Sequence, residues 1–160
     1  MTQIVVVSGN PRPGSRTLTL ASAVGAAIAA RAGAGEPVVV EVGALGAGLL
    51  TPGDTGTADA VRALREADLL VVATPTYKGS YTGILKVLLD QLPANALAGK
   101  RAVPVVTAGI APQAAAAESL LRQLLVELGA DVVDPGLPVV EAQLPESAAV
   151  AEKYAAGQTW

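Results

Sequence analysis

The sequence has no cysteine, no histidine and no phenylalanine. Without the first two, disulfides, thiolate nucleophiles, zinc-type centres and imidazole acid–base chemistry are excluded. Aromatic residues amount to three tyrosines and one tryptophan, so the core must be built from Val, Leu, Ile and Ala. Charge is sparse and balanced, with 11 Lys and Arg against 14 Asp and Glu. A net charge of −3 offers no general attraction to nucleic acid or to an anionic membrane. Long apolar runs are missing as well: IVVV, VVV, LLVVA and VPVV fall far short of the ~20 residues a membrane-spanning helix needs. Turn and charged residues also interrupt the start of the chain before a signal-peptide stretch can form, which makes a cytoplasmic location the default expectation.

What is present is a strong alternation of two textures. The 160 residues, half of them apolar, suffice for one domain, 1–160, with a real core. Short β-branched runs at 3–8, 37–42, 68–73, 102–107 and about 131–140 are apolar nearly throughout, as strands buried on both faces are. Helix-like stretches separate them at 16–32, 57–67, 82–92 and 113–128, with a weaker one at 145–156. Gly129 is expected to close the fourth. Strands alternating with helices imply a doubly wound α/β fold, a parallel sheet covered on both faces. The glycine-rich segment 43–56 reads as a flexible, passive connection ahead of a lid over a site, and the C-terminal residues, including Trp160, as a frayed end ahead of a cover for a neighbouring subunit.

Ligands on such sheets bind beyond the carboxyl ends of the strands, which directs attention to loops 8–17, 74–82 and 107–113. The first, GNPRPGSRT, has the glycine spacing of a triphosphate-binding loop, but Ser15 stands where the lysine belongs and Arg16 where a hydroxyl belongs. Its hydroxyls, Arg12, Arg16 and the following helix start suit a single phosphate, and a capped strand-to-helix turn is the alternative. The second loop, TPTYKGSYTG, carries two of the three tyrosines among small hydroxyl residues and glycines. It could lie against a flat ligand or form a subunit contact. The third, TAGIAPQ, is small and polar and can close a pocket without filling it.

Together, VSGNPRPGSRT, ATPTYKGSYTGILKVLLDQLP and VVTAGIAPQ resemble the NADPH-dependent FMN reductases of the flavodoxin-like fold, above all those that serve alkanesulfonate and methanesulfonate monooxygenases. The resemblance runs from residue 3 to about 134 and implies a five-stranded sheet of order 2-1-3-4-5. It further implies that Asn10, Arg12, Ser15 and Thr17 contact the FMN phosphate, with Arg16 beside them and Ser8 supporting the turn. Pro75, Thr76, Tyr77, Lys78, Gly79 and Ser80 would border the isoalloxazine, and Thr107, Ala108 and Gly109 would complete the pocket.

The implied activity is hydride transfer from NADPH or NADH to flavin N5, with the cofactor carrying the chemistry and no protein side chain acting as catalytic acid, base or metal ligand. Reduced FMN would pass to a partner monooxygenase. The alternatives are a self-contained FMN-bound quinone, azo or metal-ion reductase, and a non-catalytic flavin-binding module. The family's dimers or tetramers imply a homo-oligomer, formed through the helix GILKVLLDQLP, whose Leu85, Leu88, Leu89 and Leu92 serve either core or interface. Two departures stand out. The resemblance places Ser119 where the sulfonate-linked reductases can carry an aromatic or histidine residue tied to a helix irregularity and flavin release, and the C-terminal segment is short.

Overall fold

The computed structural model describes residues 2–160. Strand β1 (Ile4–Ser8) leads into helix α1 (Arg16–Ala32), then β2 (Val38–Glu41), a helical turn α2 (Val42–Leu45) and α3 (Thr55–Glu66). There follow β3 (Leu69–Pro75), α4 (Gly83–Asp90), β4 (Arg101–Ala108), α5 (Ala111–Glu127), β5 (Asp131–Val132), β6 (Leu137–Val140) and α6 (Ser147–Ala156). All strand pairs among the described residues are parallel, in the order β2-β1-β3-β4-β5, with β6 also on β4. The expected order 2-1-3-4-5 is therefore observed.

Two-residue alternation sends each strand's side chains to two cores. Val5 and Val7 join Leu64, Leu88, Leu121 and Leu125 on the face covered by α3, α4 and α5. Ile4 and Val6 join Leu20, Val24, Ile28 and Ala151 on the face covered by α1 and α6. Of the four leucines left between core and interface, Leu85, Leu88, Leu89 and Leu92 are all buried within the chain.

Helix starts follow local chemistry. Ser15 accepts the Leu18 N–H at 3.2 Å, Asp54 that of Thr57 at 2.9 Å, and Thr82 that of Leu85 at 3.3 Å. The Thr57 backbone and hydroxyl bonds hold the Asp54 carboxyl below its usual range. Gly129, at φ +95°, follows the last turn of α5 as expected.

Three expectations are corrected. The run 131–140 is two strands rather than one, and the break faces Pro104. Ala102 uses its carbonyl toward this edge, accepting the Val133 N–H at 2.8 Å, so Pro104, two residues on, turns the same way. Proline has no N–H to give there, and the missing rung leaves Asp134-Pro135-Gly136 to bulge past it. Segment 43–56 is not a loose connection: α2 is followed by a 3₁₀ turn over Gly46–Leu50, Leu49 is buried, and Gln91 Nε2 donates to its carbonyl at 3.0 Å. The C-terminus is not frayed. Trp160 donates from Nε1 to the Ala155 carbonyl at 2.8 Å, packs 6.2 Å from the Tyr154 ring and lies 5.2 Å beneath the Arg101 guanidinium.

Candidate functional site

Parallel pairing brings the carboxyl ends of β1, β3, β4 and β6 to one end of the sheet, where Ser8 lies level with Ala73 and Thr107 with Pro75. The chain leaves each strand there, and a cavity of ≈ 370 Å³ opens between the exits. Asn10, Arg12, Gly14, Ser15, Arg16 and Thr17 line one wall; Pro75, Tyr77 and Thr107 line the other.

The first loop is held by its own side chains. Asn10 Oδ1 accepts the Arg12 N–H at 2.9 Å, and Asn10 Nδ2 donates to Thr17 Oγ1 at 3.0 Å. This Asx turn engages both ends of the amide, so Asn10 shapes the loop as well as facing the cavity. Ser15 Oγ accepts from Leu18, and its O–H remains free to turn toward a ligand. The opening amides of the 17-residue α1 have no intrahelical acceptor and carry the positive end of the helix dipole. Among the described residues, neither Arg12 nor Arg16 belongs to an ion pair. Two free guanidinium groups, hydroxyls and a helix start at one cavity wall are donors of the kind an anion requires.

The second loop is a tight reversal. Tyr77 and Ser80 exchange backbone bonds of 3.0 and 3.2 Å, and Lys78 and Gly79 between them take left-handed φ of 53° and 81°. That conformation is costly for lysine, and it presents Lys78 at the tip, exposed. Thr76 Oγ1 donates to the Thr107 carbonyl at 2.8 Å and ties the turn to β4. Tyr77 is half exposed and overlooks the cavity.

Not every expected residue reaches the cavity wall. Ser8 is buried at the end of β1, beneath the loop. Thr76, Lys78, Gly79 and Ser80 flank Tyr77 in the turn, and Ala108 and Gly109 follow Thr107 at the exit of β4, but none of the six lines the cavity.

Sequence reasoning missed four contributors. Glu141 and Leu144, from the 3₁₀ turn after β6, complete the wall, and no motif marked them. Thr82 is buried and donates to the Gly9 carbonyl at 2.6 Å, while its own N–H donates to Thr74 Oγ1 at 3.1 Å. It locks the first loop to the second. Glu41, at the end of β2, accepts the Gly14 N–H at 2.9 Å. The only signal for Thr82 was its position before an apolar helix; for Glu41 there was none. Wider clefts of ≈ 670 and ≈ 510 Å³ flank α3, but Arg62 there is paired to Asp59, and neither cleft gathers strand exits.

Fold and site together define a flavodoxin-like α/β protein with an arginine- and hydroxyl-lined β1–α1 turn and a tyrosine-bearing turn opposite. The family model for NADPH-dependent FMN reductase matches residues 2–144, and the chain belongs to that family. An NADH-dependent FMN reductase SfnF of Pseudomonas fluorescens (strain Pf0-1) is 32% identical over 149 residues, 90% of this chain and 79% of that protein. An FMN reductase (NADPH) of Escherichia coli (strain K12) is 41% identical over 81 residues, 51% of this chain but only 42% of its own length. In a Pseudomonas putida (KT2440) protein of the same description, the matched region spans 40% of the length. Among solved structures, the apo form of an NADH:FMN oxidoreductase, EMOB, superposes with a TM-score of 0.83 at 31% identity, covering 99% of this chain and 91% of that one.

Proposed function

We propose that this chain is an NAD(P)H-dependent FMN reductase whose cofactor phosphate sits in the cradle of Asn10, Arg12, Ser15 and Thr17, with Arg16 at its side and Ser8 under the turn. The observation that carries the reading is the pair of unpaired arginines facing a tyrosine turn across a cavity at the strand exits. The donor set fits a phosphate monoester: two guanidinium forks, hydroxyl donors and helix amides, without the lysine a β–γ phosphate would want. The cavity, ≈ 370 Å³, suits a ribityl phosphate chain, and the rim from Pro75 through Thr76, Tyr77, Lys78, Gly79 and Ser80 offers a shelf for the ring, with Thr107, Ala108 and Gly109 on its far side.

FMN held there supplies a hydride acceptor at N5 for the nicotinamide C4. The chain's own part is placement. Arg12 and Arg16 neutralise the phosphate, Thr82 and Thr76 fix the distance between the loops, and backbone amides of the tyrosine turn, with Lys78, place positive character at the ring edge. Such chemistry requires no side chain as nucleophile, which fits a chain without histidine or cysteine.

We further infer a single FMN-binding unit over 1–160, a homodimer or homotetramer, a cytoplasmic setting and release of reduced FMN to a partner monooxygenase. No helix among the described residues is long and apolar enough to cross a membrane. A second reading, a self-contained reductase that keeps its FMN and reduces a quinone, azo compound or metal ion, is favoured by one observation. Helix α5 is α-helical throughout Ala111–Glu127, with Ser119 exposed on it.

Oxidation of NADPH or NADH that depends on added free FMN supports the first reading. Yellow protein with stoichiometric flavin and activity toward a quinone supports the second. Folded protein that oxidises neither nucleotide, with or without FMN, refutes both.

A further inference from the structure

We propose that Glu41 is a positioning residue for the anion-binding loop, holding it from the neighbouring strand in the shape that receives a phosphate monoester. The proposal rests on the phosphate reading of the cavity given above. Parallel register sets Glu41 opposite Ser8, so β2 ends level with the point where β1 gives way to the loop. From there Glu41 Oε1 accepts the Gly14 N–H at 2.9 Å, 27 residues away in sequence. Gly14 has φ +68°, a conformation glycine adopts without strain and this bond helps to hold. A bond from an amide to a carboxylate is among the stronger hydrogen bonds of its kind.

A second observation points the same way. Gly43, two residues beyond Glu41, lies directly against the loop: a Cβ there would fall 2.5 Å from the Pro11 carbonyl oxygen and 2.6 Å from that of Asn10. The junction of β2 and α2 thus supports the loop at both ends, by backbone contact at Asn10–Pro11 and by hydrogen bond at Gly14. Pro11 and Pro13 stiffen the span between these two points. The loop is shaped before any ligand arrives, which lowers the ordering cost of binding.

The carboxylate has a second consequence. It sets a negative charge close to a site built for an anion. Acceptor and charge therefore pull in opposite directions, and substitutions can separate them. Glu41→Ala removes both; Glu41→Gln keeps an oxygen for the Gly14 N–H and removes only the charge.

The test is binding of FMN and of riboflavin, which lacks the phosphate, to the wild type and both variants by fluorescence quenching. Glu41→Ala is expected to weaken FMN about fivefold and to leave riboflavin unchanged. Glu41→Gln is expected to bind FMN at least as tightly as the wild type. In FMN-free protein, hydrogen exchange at the Gly14 amide should be slow in the wild type and in Glu41→Gln, and about tenfold faster in Glu41→Ala.

An FMN-to-riboflavin preference unchanged in Glu41→Ala overturns the proposal, as does Glu41→Gln binding FMN as weakly as Glu41→Ala. A wild type that prefers neither ligand refutes the phosphate reading itself. The exchange rate at Gly14 then still reports whether the Glu41 bond exists, so the two failures are told apart.

Discussion

Thr82 joins the two halves of the site, and replacing it by valine measures that join. The side chain is 1% exposed; Oγ1 donates to the Gly9 carbonyl at 2.6 Å and accepts the Leu85 N–H at 3.3 Å. Valine keeps the branched shape and volume, so no cavity term enters. Losing the N-cap of α4 costs about 1 kcal/mol. Leaving a buried carbonyl without its donor costs about 1–3 kcal/mol more. The sum, about 2–4 kcal/mol, corresponds in a chain of this length to a melting temperature lower by roughly 6–12 °C.

Urea unfolding and calorimetry of Thr82→Val beside Thr82→Ser provide the assay. Serine retains the hydroxyl and should stay within about 1 kcal/mol of the wild type. The valine variant should also bind FMN more weakly, because Gly9 begins the phosphate loop. Valine within about 0.5 kcal/mol of the wild type would refute the reasoning. Serine falling as far as valine would do so equally, since the hydroxyl that serine keeps would then not be what holds the join.

Replacing Arg12 and Ser15 together by alanine should raise the FMN dissociation constant at least about tenfold and leave riboflavin binding alone; an unchanged FMN constant would place the phosphate elsewhere. Tyr154 gives a pH dependence of known sign. Burial pushes its phenol up to about 12, against about 10 in an unfolded chain. Below pH ~10 both states keep the proton and the contribution is complete; above it the unfolded chain ionises first, and stability is lost as the pH rises toward 12. Urea unfolding at pH 9 and pH 11.5 should show the wild type losing about 2 kcal/mol more than Tyr154→Phe, and an equal loss in the two proteins would contradict the assignment.

Much of the fold was legible because its signals are local. Runs such as IVVVS and LLVVATP are short, β-branched and apolar on both faces, as a strand in the middle of a covered sheet is. The cap at Ser15 was legible as well, because its bond reaches only three residues ahead. The split of the fifth strand was written in Pro104, but its meaning depended on which way that residue faces, and strand pairing alone decides this. Trp160 read as an end because its contacts, Arg101 and Tyr154, come from the start of β4 and from α6.

The sequence by itself determined the alternating parallel architecture, the chemistry excluded by the missing histidine and cysteine, and the loops where an anion and a flat ring could sit. Periodicity and composition are properties of neighbouring residues, so they survive without coordinates. The tertiary structure alone decided that Glu41 meets Gly14, that Thr82 meets Gly9, and that Glu141 and Leu144 close the cavity. Those partners lie 27 and 73 residues apart, or on a turn with no motif of its own. What joins them is the order in which parallel strands lie side by side, which gathers distant strand exits at one end of the sheet and leaves no periodic trace along the chain.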